Sequence, residues 1–382
     1  MIIRQYIPES IKKILRFFRY GNERRKVFRE IKIRRQQNIL IKKNYKQNEE
    51  NLIVFIVAGA DWFTGKDNIS GGIMSIASIY EETKKLKETH NSEVIMVTHP
   101  KANLLLKHTQ FENDIMIFRF EQVFSFFFSL KSVIFHVPTI LLSSVLKGFM
   151  VYQSKLIKIE NLHFNILNQN IKLMADKNNI NKLRLFSKNI TQTTAHIRYT
   201  TNNLRIKYGI PIHLFSVFAD AKNYEFIRYS NKKNIILISP DAQPYKNIIL
   251  EKIRNRLDTF ECIIIKNLKY KEYKQLIKNA KFMITFGEGL DFYFIETVFS
   301  GGVSVAVYNN DFFTPKFKNK TGVFNSYSEM KDNIVNLIKQ LDNEDKHAAI
   351  NKEQFLLCNE LYSYKKYQDN IRKFYLNDYT LP

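Results

Sequence analysis

Two carboxylates eight positions apart, Glu288 and Glu296, bracket a stretch that runs Phe286-Gly287-Glu288-Gly289-Leu290-Asp291 and continues to Gly301-Gly302. Residue types and spacing here suit an anionic, hydroxyl-rich ligand. Gly287 and Gly289 permit a tight turn after an apolar strand at 282–285, and a helix starting just beyond would aim its first backbone N–H groups at a pyrophosphate. Glu288, ahead of that helix, is placed to contact the hydroxyls of a sugar. Glu296, two turns along it, is placed to accept hydrogen bonds from ribose hydroxyls. Upstream, the loop Ser239-Pro240-Asp241-Ala242-Gln243-Pro244-Tyr245-Lys246 supplies a cation, Lys246, with Asp241 five residues before it. A second glycine pair, Gly71-Gly72, opens onto a helical repeat and by itself signals only a turn.

The elements that must position these residues alternate. A continuous apolar run at 52–57 has the character of a buried parallel strand, followed by a loop at 58–70 and a helix to about 87. Strands at 93–98 and 132–136 repeat the pattern. A second series holds strands at 234–239, 262–265, 282–285 and 303–307, with helical stretches at 247–257, 271–278 and 294–299 between them. Strand–helix alternation predicts parallel, doubly wound sheets, with ligands outside the carboxyl ends of the strands, where Gly71-Gly72, His99 and His136 fall.

The Glu288–Glu296 stretch resembles the E-x7-E signature of retaining GT-B glycosyltransferases of family 4. Glu288, Gly289, Glu296 and Gly301 match by type and spacing, while Asp291 replaces a glycine and Val303 a proline. The strand–loop–helix at 263–280 resembles the family's element before the signature. Lys246 matches one of two phosphate-gripping cations, but Asp241 stands at the arginine position. Scattered blocks from about 52 to 340 carry the resemblance. It implies an α/β GT-B fold, two doubly wound Rossmann-like domains facing across a cleft, and transfer of a sugar with retention from a nucleotide-diphosphate sugar. The donor residues it implies are Gly71, Gly72, Lys246, Gly289, Leu290 and Glu296. Glu288 and His136 become the catalytic candidates, since the family often ends an N-domain strand with a histidine near the reacting carbon. His99, His163 and His196 are rivals to His136, and His196 with Arg198 and Tyr199 lies near the expected hinge.

The 382 residues carry a net charge of +23, with 45% hydrophobic and 14% aromatic residues, which fits a folded protein of more than one domain. Residues 1–50 hold fifteen Lys or Arg against five Glu. Ile11, Ile14, Leu15 and Phe18, interleaved with Lys12, Lys13, Arg16 and Arg19, form a basic amphipathic helical pattern suited to an anionic membrane surface. The expected domains are therefore a basic helical extension at 1–50, an acceptor-side domain at 51–228, a nucleotide-sugar domain at 229–351 and a C-terminal helix at 352–382 closing over the junction.

Two cysteines in no ligand spacing fit a reducing cytoplasm, and no run is long and apolar enough to span a membrane. The expected location is cytoplasmic, peripheral at the inner face of the cell membrane. No D-x-D triplet occurs, so neither metal nor other cofactor is expected. The expected partners are a nucleotide sugar, a glycan or lipid-linked glycan acceptor in surface polysaccharide synthesis, and the membrane. Nucleic-acid binding, which the basic charge would suit, lacks every specific motif. A catalytically silent GT-B subunit supporting a partner enzyme is the alternative that Asp241 and Asp291 keep open.

Overall fold

The computed structural model describes residues 21–58, 71–102, 115–216, 221–266, 268 and 270–382. The amphipathic pattern at 11–19 and the loop at 59–70 lie outside the described residues. Packing divides the chain into two compact units, one of Met1–Ile166 with Asp176–Ile190 and one of Leu167–Ala175 with Thr191–Pro382.

The first unit begins with helix α1 (Gly21–Asn44) and strand β1 (Asn51–Val57), followed by α2 (Gly71–Lys85), β2 (Glu93–Thr98), β3 (Ile117–Phe118), β4 (Ser132–Pro138), α3 (Leu142–Val151) and most of β5 (Asn161–Asn168). Leu52 through Val57 are at most 1% exposed, as expected for a strand covered on both faces. In α1 the buried residues Ile33, Gln37 and Ile41 recur every fourth position and form one narrow stripe. Gln37 Nε2 donates to Ile117 O at 3.0 Å, and the Arg119 guanidinium donates to Gln37 and Asn38. The helix thereby covers β3, an outer strand whose backbone would otherwise be an open pairing edge. Residues Gly21–Asn44 are thus docked on the unit.

Strands β6 (Asn189–Thr194) and β7 (Ile212–Leu214) complete the first sheet, whose order is β3-β2-β1-β4-β5-β6-β7. The five-stranded sheet has the order β12-β11-β10-β8-β9 and comprises β8 (Lys233–Ile238), β9 (Glu261–Ile264), β10 (Ala280–Ile284), β11 (Val303–Val307) and β12 (Val323–Phe324). Its four pairings are all parallel. Its crossovers run through α4 (Lys246–Arg256), α5 (Tyr270–Asn279) and α6 (Phe292–Phe299), and α7 (Tyr327–Leu341) follows β12. Ile236, Ile238, Phe282, Ile284, Val303 and Val305, all unexposed, form the spine of its core. Strand order reverses between β8 and β10, so their carboxyl ends border the crevice where such sheets bind ligands.

The chain ends with α8 (Glu344–Leu361) and α9 (Tyr364–Tyr375). α9 packs on β7, where Asn370 O lies 2.8 Å from His213 Nε2 and the Phe215 and Phe374 rings are 5.0 Å apart. Leu381 then bridges antiparallel to Ile212.

Candidate functional site

The loop leaving β10 is clamped at several points. Ser239 Oγ, just past β8, accepts from Phe286 N at 2.9 Å, and Tyr327 OH donates to Phe286 O at 2.9 Å. Thr285 Oγ1 donates to Gly289 O at 3.0 Å, which closes the turn on itself. Gly289 has φ +88°, and a Cβ there would meet the Phe313 ring at 2.5 Å and Val307 O at 2.9 Å. Only glycine fits without displacement. Leu290 is 4% exposed, with its side chain in the core beside Phe294 and Phe313.

Asp291 caps α6, its Oδ1 accepting from Phe294 N at 3.0 Å. An acid at this point need not confront a phosphate, because the carboxyl is turned back onto the helix it begins. Burial pushes its pKa to about 8, with the Asp241 and Glu288 charges acting in the same direction. Such a group is mostly protonated at neutral pH. Glu288 is also raised, first by burial and then by Asp241, while Lys172 lowers it. Glu288 Oε1 accepts a hydrogen bond from Asn170 Nδ2. Asp241 presses against the same loop, within 3 Å of where a Cβ on Gly287 would sit, and its Oδ2 is buried without a hydrogen-bond partner among the described residues.

Lys246, the first residue of α4, donates through Nζ to Ser239 O at 2.6 Å and Asp241 O at 2.9 Å. Its ammonium lies 5.6 Å from the Phe286 ring centroid, and burial lowers its pKa. Two of its three donors therefore brace the loop after β8. Beside it, Tyr245 stacks on Tyr327, which stacks on Phe286, at centroid distances of 6.3 and 6.1 Å. The outermost ring of this rack, Tyr245, is 37% exposed.

The structure thus brings Lys246, Glu288 and Gly289 together with Asp241 and Asp291 at the reversal point of the second sheet. Glu296 has different surroundings. It is 2% exposed, its Oε1 accepts from Tyr224 OH at 2.7 Å, and its charge helps burial hold the Tyr273 phenol well up. Gly71 and Gly72 form the start of α2 in the first unit.

His136 also belongs to the first unit. Its ring is unexposed, stacks on Phe55 at 4.3 Å, and has its Nδ1 2.9 Å from Asn165 Nδ2. Burial drives its pKa well down, so the imidazole is neutral. His99 is half-buried with Nδ1 3.2 Å from Ser144 Oγ, and His163 is buried with its pKa pushed down to about 4. In the second unit, His196 Nδ1 accepts from Arg198 N at 3.2 Å, and burial lowers its pKa to about 4. Arg198 Nε donates to Asn310 O at 2.9 Å, and the Tyr199 phenol is raised by burial and by Glu288.

Sequence reasoning passed over Asn170, Lys172 and Tyr224. Asn170 and Lys172 follow β5, a strand whose mixed composition, Asn-Leu-His-Phe-Asn-Ile-Leu-Asn, conceals it. Among the described residues, no group of three or more His, Cys, Asp or Glu side chains could hold a metal ion, and no helix is long and apolar enough to cross a membrane.

No protein-family model and no curated protein matches the chain. Solved structures do. Anabaena HepE in complex with UDP-glucose aligns with a TM-score of 0.57 at 10% identity, covering 85% of this chain and 99% of that one. Sucrose-phosphate synthase from Thermosynechococcus elongatus gives 0.52 at 8% identity, covering 86% and 99%. The lipopolysaccharide outer core galactosyltransferase WaaB gives 0.51 at 11% identity, covering 86% and 99%. The chain has the GT-B fold of these glycosyltransferases.

Proposed function

We propose that the protein transfers a glycosyl group from a nucleotide-diphosphate sugar to an acceptor hydroxyl. One observation carries this reading: Lys246, the Gly287–Gly289 turn and the start of α6 converge where strand order reverses in the second sheet. The fold shared with a structure that holds UDP-glucose supports it. In this reading the pyrophosphate lies against the backbone N–H groups of the turn and the remaining donor of Lys246, and Tyr245 offers a ring face to the nucleoside or sugar. Glu288, fixed by Asn170, meets hydroxyls of the sugar as its anomeric carbon gains oxocarbenium character and the bond to the leaving diphosphate breaks. Retention, independence of metal and a glycan or lipid-linked glycan acceptor at a membrane face belong to the same proposal. They rest on the family resemblance and the basic N-terminus.

Asp241 at the position of a phosphate-gripping cation favours a second reading, a GT-B subunit that has lost turnover. Thermal melts with UDP, GDP and their sugars, paired with transfer assays on Glu288→Gln, separate the two. A nucleotide sugar is expected to raise the melting temperature and Glu288→Gln to reduce transfer by about a hundredfold. A shift without any turnover selects the silent subunit, and no shift with any nucleotide refutes both.

A further inference from the structure

The outward side of α3 and its neighbours in the first unit is apolar in a way a soluble surface is not. Ile140, Met150, Val151, Ile157 and Leu185 are 64%, 54%, 73%, 62% and 66% exposed. Ile140 lies in the 3-10 turn Thr139–Leu141 that leads into the helix, and Lys147, Met150 and Val151 are exposed on the helix itself, while Leu142, Val145, Leu146 and Phe149 are buried. Leu185 comes from an adjoining segment, because α3 packs beside the helix Lys177–Leu183 and the Phe149 and Phe186 rings, next in sequence to Met150 and Leu185, are 6.1 Å apart, and Ile157 follows the short helix Gln153–Leu156, which also packs on α3. Five exposed aliphatic side chains therefore crown a surface whose buried layer is continuous.

Cations ring them. Lys147, Lys158, Lys182, Arg184 and Lys188 are all exposed, against the two exposed acids Glu160 and Asp176. Asp176 is engaged as a helix cap to Asn178 N.

We infer that this face docks on an anionic lipid surface, with the aliphatic side chains entering the acyl boundary and the cations meeting lipid phosphates. The chemistry favours lipid over a protein partner. Protein hot spots are built around Trp, Tyr and Arg in preformed pockets, whereas the exposed apolar side chains here are Ile, Met, Val and Leu, accompanied mainly by long lysines. Its charge also opposes cover by residues 1–20, which carry five Lys or Arg against one Glu. The inference stands apart from the sugar-transfer reading, since none of these residues lies in the second unit.

The test is co-sedimentation of the full chain with vesicles of equal parts phosphatidylcholine and phosphatidylglycerol, or of phosphatidylcholine alone. Two variants accompany it, Met150→Ser/Val151→Ser/Ile157→Ser and Lys147→Glu/Lys158→Glu, with melting temperature as the check on folding. Wild type is expected to sediment with the anionic vesicles only. Each variant is expected to partition at least about tenfold more weakly, since one cation near such a surface is worth roughly fivefold. Nucleotide-induced thermal shifts should be the same in all three proteins, which keeps failure here distinct from failure of the donor-site reading. Equal partitioning of both variants with wild type would place the contact on residues 1–20 or elsewhere and overturn the inference. So would a wild type that ignores the vesicles or binds neutral ones equally.

Discussion

Replacing Asp291 by Asn isolates one proton from one helix cap. Asn caps a helix about as well as Asp, so the hydrogen bond to Phe294 N survives while the ionisation is removed. The folded carboxyl has its pKa pushed up to about 8, against about 3.9 for an unfolded aspartate. A carboxyl raised in this way holds its proton more tightly folded than unfolded. Its contribution to stability is complete below about pH 4 and is lost progressively as pH rises towards 8. Four units at 1.36 kcal/mol each set an upper limit of about 5.5 kcal/mol, and partial solvent access at an effective dielectric near 20 reduces this to about 2–4 kcal/mol. Asp291→Asn should therefore match wild type near pH 4.5 and exceed it by roughly 5–15 °C in melting temperature near pH 8.5, at about 2–4 °C per kcal/mol for a unit of this size. Melts of both proteins across that range give the answer. Glu288, raised in the same direction, is present in both proteins, and its charge is one of the causes of the Asp291 shift that the substitution removes. Parallel curves would show that the Asp291 carboxyl is not held protonated by its surroundings.

Two further outcomes follow from the same loop. Gly289→Ala should destabilise the protein by about 2–5 kcal/mol, combining left-handed backbone strain with the overlap on Phe313 and Val307, and a melting temperature within about 2 °C of wild type would refute the φ of +88°. Any transfer activity should survive EDTA, because Lys246 and backbone N–H groups are the donors available at the loop; loss restored by added Mg²⁺ or Mn²⁺ would disprove that expectation.

The sequence exposed what is apolar and periodic. β1, β2, β4, β8, β10 and β11 are runs of Ile, Val, Phe and Leu, and the structure puts strands over each predicted stretch. β6 was hidden because it is Asn-Ile-Thr-Gln-Thr-Thr, yet Thr191, Gln192, Thr193 and Thr194 are each at most 1% exposed. Partners answer part of its polar content, as Asn168 Nδ2 answers Gln192 Oε1 at 3.1 Å and Thr200 answers Thr194, while Gln192 Nε2 is buried with no partner among the described residues. Hydropathy cannot register a pairing between residues 24 positions apart. β3 and β12, two residues each, are too short for any period to form. The turn at 286–291 was legible because glycine spacing and acid placement are local. The environment of Glu296 was not, since Tyr224 lies 72 residues away.

The acids in that loop bear on how a phosphate ligand would bind. Asp241 raises both Glu288 and Asp291, and Glu288 raises Asp291, so neighbouring charge adds to burial in holding protons on these two carboxyls. A pyrophosphate brought against the turn would add negative charge beside Glu288 and Asp291, which already hold protons more tightly than usual, and would raise both further. Binding then draws protons in, and by linkage affinity should increase as pH falls from about 9 to 6. A site with an arginine at position 241 would bind its ligand with little proton exchange, through that range. In this chain protonation of Asp291 removes one negative charge beside the loop that Lys246 braces.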